Sequence, residues 1–222
     1  AYLLRTRLPR AIRSAAGLRQ GLPAARPRKR RLHLRAVRRA LPVRAGVRCD
    51  LSPPGRRRKL IGGDVSVKIR EMTRGDGEET LRLFYETVRS VCAEDYTAAQ
   101  ISAWASPRGV REWTDSFFAE GRRALVAEEG GEIVGFADMT QDGYFDRLYV
   151  HKNFQRRGIA AALADALEEG CAASSFTVYA SVTARGFFEK RGYVLVRENI
   201  VERGGEKLLN YYMRKENLRA LR

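Results

Sequence analysis

Residues 149–163 read YVHKNFQRRGIAAAL, an apolar segment giving way to an alanine-rich one, with Gly158 at the junction behind Arg156 and Arg157. In a chain of 222 residues with a formal net charge of +16, such a patch first suggests a polyanion as partner. The distribution of charge argues otherwise. Residues 1–63 carry nineteen lysines and arginines against one acid, Asp50, whereas the rest of the chain carries twenty-three basic and twenty-five acidic side chains. The basicity belongs to the first segment, and the junction at Gly158 sits in nearly neutral surroundings.

That first segment is rich in Arg, Ala, Leu and Pro without sustained helical or strand periodicity, and its charge repulsion and prolines predict disorder. Three readings of it compete. It is a nucleic-acid or membrane-binding tail, an Arg-rich and acid-poor transit peptide, or a stretch outside the natively translated protein, with translation from a valine-type start near Val65 or Val67. None of them bears on residues 64–222, which have the texture of a folded domain.

Cys49, Cys92 and Cys171 stand far apart with no C-x-x-C pair, which argues against a disulfide framework and a zinc site and for a reducing, cytoplasmic setting. His33 and His151 are the only histidines and form no H-E-x-x-H pattern, so no metal is expected. No apolar run has the length of a membrane span, and a soluble protein is expected.

Working outward from Gly158, periodicity gives the elements on both sides. Val67, Ile69 and Met72 mark a first strand, and Asp76 is placed to cap a helix with Leu81, Phe84, Tyr85, Val88, Val91 and Cys92 on one face. Thr97 to Gln100 is a capping-box pattern, and Ser106-Pro107 opens another helix with Val110, Trp113, Phe117 and Phe118 on one side, ending at Gly121. Gly130-Gly131 joins two strands as a tight hairpin, GYFDRLYV is a further strand, and Ile159, Leu163 and Leu167 form the buried stripe of a helix ending near Gly170. SFTVYASV follows as a strand, Thr183 is placed to cap a short helix through Phe187 and Phe188, and a last hairpin turns at Gly204-Gly205. The succession predicts an α/β fold with a mixed, mostly antiparallel central sheet flanked by helices.

Gln155-x-x-Gly158-x-Ala160 thus lies between a strand and a helix. The first N–H groups of a helix lack intrahelical partners and its dipole is positive there, so the site suits a phosphate or pyrophosphate. Gly158 removes a Cβ that would hold the anion off, Ala160 keeps the next turn close, and Arg156 and Arg157 offer forked donors. A glycine serving only to pack the helix on the preceding strand is the competing reading of the hexapeptide alone.

The whole order, from the hairpin through RLYV and Q-x-x-G-x-A to ARGFFEKRGY, resembles the GNAT superfamily of N-acetyltransferases over roughly residues 67–216. The signature Q/R-x-x-G-x-G/A is met by residues 155–160, and the later A-x-x-L/F-Y-E-K-x-G-F segment is similar to Ala184 through Tyr193. The resemblance implies an N-acetyltransferase domain over residues 64–222, with acetyl-CoA as cosubstrate and a primary amine of a small molecule or protein as acceptor. It implies that main-chain groups near Leu148, Tyr149 and Val150 pair with the pantetheine arm and that Gln155, Arg156, Arg157, Gly158, Ile159 and Ala160 wrap the pyrophosphate. Ala184 and Phe187 would border the CoA. The strand before the motif would splay from its neighbour, and an N–H of Tyr149 or Val150 would face the thioester oxygen.

Direct transfer needs an unprotonated amine, whose conjugate acid has a pKa of about 10.4, so a base is required. Strand alternation puts Tyr144, Asp146, Leu148 and Val150 on one face, and Asp146 is the carboxylate nearest the implied gap. It is the candidate base, directly or through water; a strand aspartate paired to a neighbouring arginine is the competing reading, and Asp138 and Asp142 are weaker candidates. The tyrosine that acts as general acid in the family is replaced by Phe188, with Tyr179, Tyr193 and Tyr211 as substitutes to consider. Tyr96, Trp104, Trp113 and Tyr144 are the candidate acceptor-contacting residues, against the reading that aromatic residues at helical spacing are core. Nucleic acid becomes a partner only if the tail is native, no membrane is involved, and homodimerisation stays open. A non-catalytic acyl-CoA-binding module is the alternative function.

Overall fold

Two glycine pairs close the two long hairpins. Gly130 and Gly131 have φ of +63° and +86°, and Gly204 and Gly205 have φ of +52° and +83°, the left-handed conformation a two-residue turn demands at both central positions. The first pair joins β2 (Arg122–Glu129) to β3 (Glu132–Thr140), the second β6 (Val194–Arg203) to β7 (Glu206–Glu216). The structure, a computed structural model, describes residues 67–220, so the basic segment 1–63 lies outside the described residues.

With β1 (Lys68–Glu71), β4 (Tyr144–Val150) and β5 (Ser175–Ser181) these strands form one seven-stranded sheet in the order β1-β2-β3-β4-β5-β7-β6. Every pairing is antiparallel except β4 with β5. A parallel pair needs a crossover, and α4 (Ile159–Glu169) supplies it. Ile159, Leu163 and Leu167 are buried as their spacing predicts, packed with Phe145, Leu148 and Phe188 on one face of the sheet, which α5 (Val182–Lys190) shares. The other face is covered by α1 (Gly77–Ser90), α2 (Ala98–Trp104) and α3 (Val110–Asp115), through Phe84, Trp104, Trp113 and Phe117 against Phe136 and Tyr149.

Three local expectations are corrected. Asp76 does not cap α1 with its side chain. Its carboxylate closes a capping box on Thr73 for a preceding 3₁₀ turn and takes a forked bond from Arg70 at 2.8 and 3.0 Å. Ser106-Pro107 lies before α3, whose cap is Gly109; Trp113 and Phe117 are buried, but Val110 and Phe118 are exposed, so only part of the expected stripe faces the core. The cap of α5 is Ser181, whose Oγ accepts from the Ala184 N–H at 3.1 Å, because β5 runs straight into the helix; Thr183 instead donates to Asp95. The capping box at Thr97 and Gln100 is present as expected.

Candidate active site

The β4–β5 pair exists only at its start. Tyr144 faces Thr177 and Phe145 faces Val178, and beyond these residues the two parallel strands part. The parting coincides with a bulge: β3 pairs Asp138 with Arg147 and Met139 with Phe145, so Asp146 is an extra residue. The bulge overturns the expected alternation. Phe145, Leu148 and Val150 share the α4 side, and Tyr149 lies on the α1 side.

At the far end of β4 the chain turns through a 3₁₀ turn at Lys152–Phe154 into Gln155 and α4. Gly158 caps α4 with φ of +83°, and Arg156 has φ of +59°, the one non-glycine positive φ among the described residues. Left-handed residues that alternate with right-handed ones are one way a backbone forms an anion-binding nest, and bulky side chains occupy the left-handed region only at a cost. A Cβ on Gly158 would meet no protein atom within 4 Å, so conformation rather than packing requires glycine there. Packing is the role of Gly135 on β3, where a Cβ would come within 3.0 Å of the Tyr149 carbonyl oxygen and 3.2 Å of Ile159. That close approach seats the first turn of α4 against the sheet, and the sequence reading missed it.

Both arginines of the motif are exposed, and Arg157 donates to Glu129 at 2.7 Å and lies over the Phe154 ring. Gln155 and Ala160 are half-buried, and Ile159 is buried beneath them. On the opposite wall of the gap stand Ser181 and α5, with Ala184 buried and Phe187 half-buried.

The start of β4 is occupied by charge. Asp138 takes a forked bond from Arg147 at 2.6 and 2.9 Å and a further one from Arg122, which also reaches Asp146 at 2.9 Å. Arg147 completes its set on Ser116 Oγ at 2.8 Å and lies 3.5 Å from the Phe117 ring centroid. Asp138, Asp146 and Arg147 are all at most 2% exposed. Burial works against the Arg122 charge, but Asp138 and Asp146 outweigh it and hold the guanidinium above its ordinary range. Two carboxylates and two guanidinium groups thus neutralise each other out of water. To accept a proton, Asp146 must do so beside Arg122.

The remaining candidates divide between core and margin. Trp104 and Trp113 are 1% and 3% exposed, the latter donating from Nε1 to Thr80, so both are core residues. Tyr96 is buried as well; its hydroxyl donates to the Leu209 carbonyl at 2.7 Å and accepts from the Val182 N–H at 3.0 Å, tying α2's approach to both β7 and α5. Its ring still borders a cavity of about 580 Å³ with Arg89, Ile101 and Pro107. Tyr144 is half-buried beside Tyr179. The Tyr149 ring is stacked on Phe136, and burial raises its hydroxyl well above the ordinary range, so its contribution to the gap is main chain.

Phe188 is fully buried between Phe145 and Tyr193. Of the substitute tyrosines, Tyr193 donates to Glu168 with a hydroxyl that burial and then Glu168 push up. Tyr211 faces the α4 and α5 side, and Tyr179 accepts from Arg197 at 3.2 Å. None of the described helices is long and apolar enough to cross a membrane.

A family model for the GNAT acetyltransferase domain matches residues 92–215. The uncharacterized N-acetyltransferase YafP of Escherichia coli K12 is 34% identical over 149 residues, covering 67% of this chain and 95% of that protein. A GCN5-related N-acetyltransferase structure from Rhodopseudomonas palustris superposes with a TM-score of 0.63 at 32% identity, over 71% of this chain and 99% of that one. YncA of Salmonella typhimurium, a putative acetyltransferase solved with acetyl-CoA, shares the fold with a TM-score of 0.54 at 16% identity, over 68% and 94% of the two chains. A gapped parallel pair followed by a glycine-capped crossover helix, in a chain matched by that family model over residues 92–215 and by that relative over 149 residues, makes this protein a member of the GNAT superfamily of N-acetyltransferases.

Proposed function

We propose that the chain transfers an acetyl group from acetyl-CoA to a primary amine of a small molecule or protein by direct attack on the thioester. The observation that carries this reading is the opening of β4 from β5 beyond Phe145 and Val178, with the left-handed Arg156 and Gly158 at its outer end. The pyrophosphate lies on the first turn of α4, held by main-chain N–H groups of residues 156–160, with Arg156 as the adjacent cation. The pantetheine arm runs along Leu148, Tyr149 and Val150, past Ala184 and Phe187. An N–H of Tyr149 or Val150 receives the developing oxyanion.

The amine nitrogen forms its bond to the carbonyl carbon as the carbon–sulfur bond breaks, and CoA departs as thiolate. A thiol pKa of about 8.5 makes that a tolerable leaving group without a general acid, which fits the burial of Phe188. The amine proton passes through water to Asp146, one residue beyond the last β4–β5 pair, with Arg122 orienting the carboxylate. Free Cys92 and Cys171 fit a reducing, cytoplasmic setting.

Two observations favour the second reading, an acyl-CoA-binding module without turnover: Asp146 is engaged by Arg122, and no hydroxyl stands at Phe188. The test of the first is a thiol-release screen of the full chain over polyamines, aminoglycosides, amino acids and peptides. Acceptor-dependent release of CoA is expected. Binding of acetyl-CoA with no release for any amine supports the second.

A further inference from the structure

On the face of the sheet that carries Tyr149, three side chains of the last hairpin form a hydrogen-bonded row with a fixed direction. Arg197 Nη1 donates to Asn199 Oδ1 at 3.0 Å, and Asn199 Nδ2 donates to Asn210 Oδ1 at 2.8 Å. A guanidinium cannot accept, so Asn199 must present its oxygen to Arg197 and its amide N–H to Asn210, and Asn210 in turn must present its oxygen. The other end of Asn210 is therefore a donor. Its Nδ2 is buried without a hydrogen-bond partner among the described residues, in a side chain with no exposure at all. Native proteins leave few such groups unsatisfied, and each one points to an explanation.

The position of this donor supplies one. Asn210 pairs with Ser181 across β5 and β7. Ser181 lies three residues past Val178, and Tyr149 lies four past Phe145 with Asp146 the extra residue of the bulge, so at roughly 3.3 Å per step both stand about 10 Å into the gap. Leu208 packs with the α1 side and Tyr211 and Met213 with the α4 side, so by alternation Asn210 and Tyr212 look to the α1 side, as Tyr149 does. Beside Asn210 on that face, the half-buried Tyr179 and Tyr212 have ring centroids 5.0 Å apart, under the Arg197 guanidinium. The donor thus stands one strand beyond the wall of the gap, level with the main chain assigned to the reacting carbonyl.

We infer that Asn210 is a specificity-determining residue, donating from Nδ2 to an oxygen several bonds away from the reacting amine, so that the acceptor is an amine bearing a hydroxyl or carbonyl group. The inference rests on the acetyltransferase reading. A site built to hydrogen-bond a substrate oxygen discriminates against the analogue that lacks it, because its own polar group is then left buried and unpaired.

Matched amines test this with the full-length chain: 4-amino-1-butanol against pentylamine, and glucosamine against cyclohexylamine, by CoA release with acetyl-CoA. The wild-type protein should favour the oxygen-bearing member of at least one pair by about 10- to 100-fold in kcat/KM, chiefly through KM. Asn210→Leu, of similar shape without the donor, should bring that ratio close to one and leave acetyl-CoA affinity unchanged. Equal use of both members by the wild type overturns the inference without any variant being made. So does a ratio that survives in Asn210→Leu, or a variant whose loss is in acetyl-CoA affinity. Absence of acetyl-CoA binding by the wild type would instead sink the acetyltransferase reading itself.

Discussion

The first half of β4 meets its surroundings through side chains, the second half through main chain. At Asp146 and Arg147 the strand carries charges that are spent on Arg122, Asp138 and Ser116. Already without a β5 partner beyond Phe145, the strand from Leu148 onward leads into a loop in which Arg156 and Gly158 take left-handed conformations. The difference separates a half held by buried charge from the half to which the proposed function assigns acetyl-CoA. A neutralised ion cluster sits at the base of the gap, and the far end of β4 keeps its β3 pairing while standing apart from β5.

Breaking the first half should cost most. Asp138→Ala leaves two buried guanidinium groups facing Asp146 alone, and a loss of about 3–5 kcal/mol in urea unfolding is expected. A loss under about 1 kcal/mol would mean that the cluster is hydrated and weak. Breaking the second half should spare the fold and remove the ligand. Gly158→Val sets a β-branched residue at φ of +83° and points its methyl groups into the concavity, so acetyl-CoA affinity should fall on the order of 100-fold in calorimetry. The urea midpoint should move less than in Asp138→Ala; the reverse order would invert the comparison.

Asp146 sits where the halves meet. Asp146→Asn keeps the side-chain shape and should lower kcat by about 100-fold across the pH–rate profile while acetyl-CoA affinity stays within a factor of two. Unchanged turnover across that profile would assign Asp146 wholly to the ion cluster. The smallest effect belongs to Arg157. Its pair with Glu129 is half in solvent, so Arg157→Ala should change acetyl-CoA affinity only a few-fold, less than Arg156→Ala under the same conditions.

The same division explains what the sequence disclosed. The hairpin turns at Gly130-Gly131 and Gly204-Gly205, the stripe of Ile159, Leu163 and Leu167, and the glycine at the start of α4 are local demands of backbone and periodicity, and each was legible. The ion cluster was not, because its members lie up to 31 residues apart and the bulge at Asp146 breaks the alternation on which the reading of β4 depended. Trp104 and Trp113 were ambiguous for the reason that an aromatic stripe serves a core and a binding wall equally well, and here it serves the core. Asn210 carried no local signal at all, since its meaning comes from Asn199 across the hairpin and Ser181 across the next strand. Gly135 was hidden in the same way, its neighbours being α4 and the Tyr149 carbonyl.

The central claim is that the open end of β4 and the glycine-capped turn of α4 bind acetyl-CoA. Titration calorimetry of the full-length chain with acetyl-CoA tests it most directly. Saturable one-to-one binding in the range of about 1 μM to 1 mM is expected, and its loss in folded Gly158→Val. A folded wild-type chain that takes up no acetyl-CoA at millimolar concentration, or a Gly158→Val protein that binds as the wild type does, would contradict the account.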